Sequence, residues 1–297
     1  MKLLKIILAA AAIIAPFKNA SAQSFLTNGL VAYYPFNGNG NDASGHGNNL
    51  TVVGTGGFVS GNLGGAINFD GKTNYCYTAS RLVSSNPFTW SCWVKITSKT
   101  NPFICFMEQT TTSSQVSPFL SCSINTNTST LTYSLYTYSG TAQNLTSTTN
   151  NLNTNQWVQL VGVSDASGIK SIYVNGLLEG TSSAQLFGQT LNHFSLGTFY
   201  GSPQYPYQLD EVRVYNRALS SSEVAQLYSI ESSGPNLGIS TYNNSPVVFY
   251  PTAIGTNYTL RMTTNLASPN WVTVTNGVPF SGVQITNAPS NAFFQLQ

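Results

Sequence analysis

Charge is what this chain most lacks: of 297 residues, 11 are Lys or Arg and 9 are Asp or Glu. That is 7% of the sequence, against the roughly 25% usual in globular proteins. Three of the basic residues, Lys2, Lys5 and Lys18, lie near the start, and beyond them eight basic residues face nine acidic ones, a net charge of −1. Nucleic acid, held mainly through neutralised phosphates, is therefore excluded as a partner. Cysteine is scarce too. Cys76, Cys92, Cys105 and Cys122 show no Cys-x-x-Cys spacing, so a zinc site of that type has no ligands. They can form up to two disulfides in an oxidising compartment or pack as buried free thiols, and both readings stand. No segment approaches the ~20 apolar residues of a transmembrane helix.

What is present begins with an export signal. Lys2 and Lys5 precede an apolar stretch from Ile6 to Ala15 and the small-residue triplet Ala20-Ser21-Ala22, the order of a secretory signal peptide over residues 1–22. Cleavage after Ala22 leaves 275 residues beginning at Gln23, a protein expected outside the cell or in the cell envelope. Asn, Thr, Ser, Gly and Tyr take the place of charge on its surface, as suits an extracellular β-sandwich.

From Leu30 to about Tyr215 short β-type runs alternate with Gly, Asn, Ser and Pro clusters, the spacing of an antiparallel sandwich. In Leu131–Tyr138, Leu131, Tyr133 and Leu135 share one face and Thr132, Ser134, Tyr136 and Tyr138 the other. Asn175-Gly176 marks a tight hairpin turn. One helix is expected: Ser220-Ser-Ser-Glu223 has capping-box spacing, with Leu219 and Val224 as a hydrophobic staple, and the helix runs to about Ile230. Glu231-Ser-Ser-Gly-Pro235 reads as a linker. Beyond it, runs at Val247–Tyr250, Asn257–Thr263, Trp271–Thr275, Gly282–Thr286 and Ala292–Leu296 form a small β-module over residues 237–297, marginal in size and without a disulfide.

Six ordered motifs, Gly29-Leu-Val-Ala-Tyr-Tyr-Pro-Phe36 with its Gly/Asn-rich continuation to Asn49, Gly65-Ala-Ile-Asn-Phe-Asp-Gly71, Phe88-Thr-Trp-Ser-Cys-Trp-Val-Lys95, Gln156-Trp-Val-Gln-Leu160, Ile172-Tyr-Val-Asn-Gly176 and Leu209-Asp-Glu-Val-Arg-Val-Tyr-Asn-Arg-Ala-Leu-Ser220, together resemble the concanavalin A-like, laminin-G-like (LamG) jelly-roll domain of secreted bacterial proteins. The resemblance implies an all-β fold, an antiparallel two-sheet jelly-roll sandwich over residues 23–231, followed by a linker at 232–236. The tail resembles a short C-terminal β-module frequent in secreted proteins of Verrucomicrobia-type bacteria, expected to act as a spacer or surface attachment.

Members of the resembled family often bind calcium near their termini. The loop Asn37-Gly-Asn-Gly-Asn-Asp42 offers oxygen ligands for such a hard cation, so a structural Ca2+ is expected at Asp42, Asp210 and Asn39. The competing reading has Asp42 capping a turn and Asp210 holding a strand end. For a polysaccharide or other glycan ligand, whose CH faces stack on aromatic rings, the expected contacts are Tyr200, Tyr205 and Tyr207, with Tyr136 and Tyr138. Against it stands the reading that these tyrosines close the sandwich edge.

Catalysis finds little footing. Glycosidases need two carboxylates flanking one bond, and the glucanases of the resembled fold carry Glu-x-Asp-x-x-Glu on one strand, which is missing here. Asp210 and Glu211, being adjacent, are expected on opposite faces of a strand, and no Gly-x-Ser-x-Gly nucleophile elbow occurs. The sequence thus points to a secreted, non-catalytic binding module, with carbohydrate the leading ligand. A structural or adhesive surface protein contacting other proteins is the alternative, and a polysaccharide-degrading enzyme the weakest reading.

Overall fold

The computed structural model describes residues 24–55, 57–98, 103–110, 116–125, 127–128, 130–138, 142–148, 154–186, 193–200, 202–203, 205–232, 238–242, 245–249, 259–263, 272–276, 283–284 and 293–296. The export signal at 1–22 and the linker after Ser232 lie outside the described residues. In chain order the strands are β1 (Leu30–Tyr34), β2 (Thr51–Val53), β3 (Phe58–Ser60), β4 (Gly65–Asp70), β5 (Tyr75–Thr78), β6 (Phe88–Ile96), β7 (Phe103–Thr110), β8 (Val116–Asn125) and β9 (Thr130–Tyr138). There follow β10 (Ala142–Thr146), β11 (Trp157–Ser164), β12 (Lys170–Val174), β13 (Leu177–Thr181), β14 (His193–Leu196), β15 (Thr198–Phe199), β16 (Ser202–Pro203) and β17 (Pro206–Tyr215), then the helix α1 (Ser221–Ser232).

These strands make two antiparallel sheets. A back sheet runs β13-β12-β11-β6-β17-β4-β3, with β1 also paired to β17, and a front sheet runs β10-β9-β8-β7-β14-β5-β2. Hairpins of consecutive strands (β11–β13, β7–β10) are joined to sequence-distant strands (β6 with β11 and β17, β14 with β7 and β5), as in the two-sheet jelly roll expected. Between the sheets lies the core: on β6, Phe88, Trp90, Cys92, Val94 and Ile96 point in, meeting Ile104, Phe106, Leu120, Cys122 and Leu135 of the front sheet. Leu131, Tyr133 and Leu135 of β9 are buried in this core, whereas Tyr136 is half-buried and Tyr138 exposed, the alternation that a half-buried strand requires. At the β12–β13 turn, Asn175 and Gly176 have φ of 51° and 77°, the two left-handed positions of a hairpin turn whose twist matches its strands.

The back sheet is buried on both faces because α1 and the N-terminal turn Ser24–Leu26 cover its outer side. Phe25, Leu26, Tyr33, Val161, Tyr173, Tyr215, Val224 and Leu227 form a second apolar cluster there. The capping box is formed as expected: the Ser220 N–H donates to Glu223 Oε2 at 2.7 Å and the Glu223 N–H to Ser220 Oγ at 3.3 Å.

Under α1 the sequence reading needs correcting twice. Glu231, expected to open the linker, is instead buried in the last turn of α1. It accepts from Trp93 Nε1 (2.7 Å), Gln159 Nε2 (2.9 Å) and Arg213 Nε (2.9 Å). Asp210 and Glu211, expected on opposite faces, share the outer one. The pairing of β17 with β6 shifts between Asp210 and Arg213, and Glu211 takes a φ of 51°. This extra residue is a bulge that resets the alternation. Glu211 Oε2 accepts from Arg213 Nη2 (2.7 Å) and the Tyr33 hydroxyl (2.6 Å), and the guanidinium lies 3.7 Å over the Tyr33 ring. Burial, and then the Glu211 charge, hold the Asp210 carboxyl well above the usual carboxylate range.

Across the open side of the sandwich, Lys170 of β12 is buried and donates to Thr137 Oγ1 of β9 (3.1 Å) and the Gln143 carbonyl of β10 (2.7 Å). The four cysteines are buried free thiols, the second of the two readings above. Cys105 and Cys122 lie on the neighbouring strands β7 and β8 but turn to opposite sides of the front sheet, Cys122 into the core and Cys105 outward. Burial pushes the Cys76 thiol up to about 12.

The C-terminal region, described as backbone, has strands β18 (Gly238–Tyr242), β19 (Ser245–Phe249), β20 (Thr259–Thr263), β21 (Val272–Asn276), β22 (Val283–Gln284) and β23 (Phe293–Leu296). They pair into two three-stranded sheets, β18-β19-β22 and β21-β20-β23. The first of these strands, at Gly238–Tyr242, was not among the runs expected.

Two outcomes test this packing. Arg213→Met strands buried carboxylates without their cation and should cost about 3–5 kcal/mol of unfolding free energy by urea titration; a loss below about 1 kcal/mol would contradict the buried network. Burial lowers the Lys170 pKa from 10.5 to about 8, so between those values the unfolded chain binds a proton that the folded chain has released. Stability relative to Lys170→Met should thus rise by roughly 2 kcal/mol from pH 8 to pH 10 and stay flat below pH 8. A difference independent of pH would place the ammonium in water.

Candidate functional site

The two sheets differ in what covers their outer faces. Eleven buried hydrophobic residues make the cluster outside the back sheet, but among the described residues the apolar cluster outside the front sheet has just Cys105 and Phe119 buried, with Phe103, Tyr136 and Phe199 half-exposed against them. This second face is aromatic and polar. Phe119 on β8 and Tyr136 on β9 are registered directly opposite one another and stack with ring centroids 4.4 Å apart, 17° from parallel. With one face of Tyr136 against Phe119, its other face turns toward β10, where Asn144 is registered opposite Tyr136 and exposed. Directly opposed side chains of neighbouring strands share a face, so a ring and an amide stand side by side at this edge.

The hairpin β15–β16 packs on this face at β7. It carries Phe199, 4.9 Å from Phe103 and 5.4 Å edge-on to Phe119, and then Tyr200, whose ring meets Phe199 at 4.4 Å. Tyr200 is 47% exposed and has a φ of 54°, the left-handed region that an L-residue with a large side chain rarely enters. Buried Glu108 holds it there, accepting the Thr198 hydroxyl at 2.6 Å and the Tyr200 N–H at 3.1 Å. The phenols of Tyr136, Tyr138 and Tyr200 lie near one another. Partial burial, then the Tyr200 and Tyr138 phenols, raises the Tyr136 pKa, so its hydroxyl stays a neutral donor and acceptor at physiological pH.

Three of the five expected ligand tyrosines, Tyr136, Tyr138 and Tyr200, therefore meet on one face. Tyr205 is half-buried against the inter-sheet core. Tyr207 is a correction. Fully buried, it donates its hydroxyl to the Cys105 carbonyl at 2.9 Å and accepts the Gly197 N–H at 3.0 Å, so it ties β17 across the core to β7 and reaches no ligand. Phe119, Phe199, Asn144 and Glu108 were missed. Alternation in Val116–Asn125 could have flagged Phe119, but Asn144 and Glu108 join the site only through strand register, which the local sequence does not encode.

The oxygens expected to bind calcium are found in hydrogen bonds within the fold. Asp42 accepts three backbone N–H groups, from Tyr33, Ser44 and Asn48, each at 2.9 Å. Asn39 Oδ1 accepts the Asn41 N–H at 2.9 Å, and Asp210 accepts the N–H groups of Leu63 (2.9 Å) and Glu211 (2.7 Å). Each of these amide hydrogens takes up a lone pair that a hard cation would otherwise use. Among the described residues no group of three or more His, Cys, Asp or Glu side chains is placed to hold a metal.

The other carboxylates are equally occupied. Asp70 accepts the N–H groups of Lys72 and Thr73, and Asp165 those of Ser167 and Ile169. Glu179 accepts the Thr148 hydroxyl and Glu223 binds Arg217. All nine acids thus hold the fold together.

The profile of the family Laminin_G_3, described as the Concanavalin A-like lectin/glucanases superfamily, matches residues 70–225. The chain belongs to this superfamily. No curated protein matches it in sequence. Among solved structures it is similar to domain 4 of AbnA, a GH43 extracellular arabinanase from Geobacillus stearothermophilus, in complex with arabinotriose, at 24% identity and a TM-score of 0.54 over 67% of this chain and 98% of that one. It is also similar to the receptor-binding domain of botulinum neurotoxin type G (15%, 0.54, 85% and 70%) and to the binding domain of botulinum neurotoxin DC in complex with SialylT (13%, 0.52, 84% and 70%). At these identities the likeness is one of fold.

Removing the tether gives the test of this geometry. Glu108→Ala leaves the Thr198 hydroxyl and Tyr200 N–H without their acceptor, and should cost about 1–3 kcal/mol. Glu108→Gln, which keeps one oxygen, should cost less. Urea titration and proteolytic cleavage within 198–206 read both, and equal stability of all three proteins would refute the tether.

Proposed function

We propose that the chain is an exported, non-catalytic glycan-binding module whose ligand rests on the face formed by Tyr136, Tyr138, Tyr200 and Asn144. The observation that carries this reading is the ring of Tyr136, backed by Phe119 on one side and beside an exposed amide on the other. A sugar offers a CH face to such a ring and hydroxyls to the amide and the phenols. The strained backbone of Tyr200 supports it further, because a left-handed tyrosine anchored by a buried carboxylate is a cost to stability that a binding contact explains. So do the nine carboxylates, all engaged within the fold, since glycoside hydrolysis needs two that are free to face a bond. Two of the solved structures similar in fold are complexes, one with arabinotriose and one with SialylT. The C-terminal strands serve in this reading as a spacer or surface attachment of the kind found in secreted proteins of Verrucomicrobia-type bacteria.

A glycan array followed by titration calorimetry tests it. Tyr136→Ala and Tyr200→Ala should each lower affinity about tenfold, the equivalent of ~1.4 kcal/mol. Tyr207→Phe should lose only folding stability, about 1 kcal/mol. Binding to no glycan, with capture of a protein ligand by the same face, would move the function to adhesion. Unchanged glycan affinity in both alanine variants would put the site elsewhere.

A further inference from the structure

Strand register lines up one row of side chains across the whole outer face of the front sheet. Asn144 stands opposite Tyr136, Tyr136 opposite Phe119 and Phe119 opposite Glu108. Glu108 then stands opposite Ser195, Ser195 opposite Tyr77 and Tyr77 opposite Thr51. The middle of this row is covered by the β15–β16 hairpin, whose tip is exposed Tyr200. At the far end a second aromatic group appears. Tyr75 and Tyr77 stack at 6.0 Å and 30°, and His193 lies 6.5 Å from Tyr77. All three are half-exposed, and Thr51 beside them is exposed. Nothing in the core uses these rings: their neighbour Cys76 points inward, and they point out.

The charge of this face is as telling as its rings. The seven strands of the front sheet carry one acidic side chain, Glu108, one histidine, His193, and no lysine or arginine. Carboxylates and sulfates are bound through guanidinium or ammonium groups, which these strands do not carry. Tyr136 and Tyr77 are four strand spacings apart, about 19 Å at ~4.8 Å each, so a disaccharide cannot touch both.

We propose that the outer face of the front sheet is a track for an uncharged polysaccharide chain, with Tyr75, Tyr77 and His193 forming a second aromatic station that continues the Tyr136 site. This rests on the glycan-binding reading above and adds to it the ligand's length and charge. Lys99, four residues ahead of Phe103 in sequence, lies outside the described residues and is included in the test as a variant.

Affinity electrophoresis of the purified full chain would use neutral polysaccharides (linear arabinan, galactan, mixed-linkage glucan, mannan) and acidic ones (polygalacturonate, alginate), followed by calorimetry on di- to octasaccharides of whichever binds. Retardation by a neutral polymer, affinity rising about tenfold from di- to octasaccharide, and loss of that rise in Tyr77→Ala but not Tyr77→Phe are expected. Tyr77→Ala should leave disaccharide affinity unchanged. Full polymer affinity in Tyr77→Ala, or a disaccharide binding as tightly as the octasaccharide, would overturn the track while leaving the Tyr136 site standing. Acidic polymers bound as tightly as neutral ones would overturn the uncharged ligand, whether or not Lys99→Ala abolishes that binding. Retardation by none of the polymers, with an empty glycan array, would sink both this inference and the reading on which it rests.

Discussion

The structure depends on one buried guanidinium. Arg213 sits between Glu211 and Glu231, at 2.7 and 2.9 Å, with the side chains of all three fully shielded from water. Asp210 lies beside them, so three acids share a single cation. A buried cluster left with excess negative charge is costly: burial, and then the Glu211 charge, raise the Asp210 pKa, and burial lifts Glu211 to about 7 even with Arg213 opposing it. Through Glu231 this cluster fixes the last turn of α1, and through Tyr33 and Trp93 it reaches strands β1 and β6. Helix and N-terminal turn are thereby locked over the back sheet. A sandwich has two outer faces, and this lock takes one of them, leaving the front sheet as the broad surface on which a ligand can be built for.

Much of that frame was legible in the sequence. Period-two alternation found β9 and its faces, Asn175-Gly176 found the β12–β13 turn, and the Ser220–Glu223 spacing found the start of α1, because each signal is read from residues within one turn or strand. The failures share a cause. Glu231 looked like linker because it precedes Ser-Ser-Gly-Pro, yet its partners Trp93 and Gln159 are 138 and 72 residues away. Asp210 and Glu211 defeated alternation because a single bulge with a left-handed residue resets which side is out. Tyr207 looked like part of a tyrosine-rich loop, but the strand begins at Pro206 and turns Tyr207 inward, where its ring packs 5.0 Å from Phe69 and 5.3 Å from Phe106.

The site shows the same division. That tyrosines at 136, 138 and 200 suit a sugar is chemistry the sequence displays. That Tyr136 is backed by Phe119, faces Asn144 and shares a row with Tyr77 is set by the pairing of β10, β9, β8, β7, β14 and β5, whose order bears no relation to chain order between β7 and β5. Register of this kind is fixed by which residues must be buried on the opposite face. The core residues Leu135, Leu120, Phe194 and Cys76 therefore position the outward row as surely as its own side chains do.

Scarcity of charge, the first feature of the sequence, acquires a structural meaning from where the few charges went. All nine carboxylates accept hydrogen bonds within the fold, and among the cations Arg213, Arg217 and Lys170 are engaged with protein oxygens. A chain that spends its ions on internal tethers keeps little for Coulombic attraction to a ligand. Recognition must then come from ring faces, amides and hydroxyls, whose interactions are short-ranged and indifferent to salt. Such contacts are individually weak, and the way to add them is in series along one surface. The cross-strand row of the front sheet is built for that arrangement, and the same neutrality that disfavours anionic partners lets an uncharged chain lie on it without stripping water from an ion.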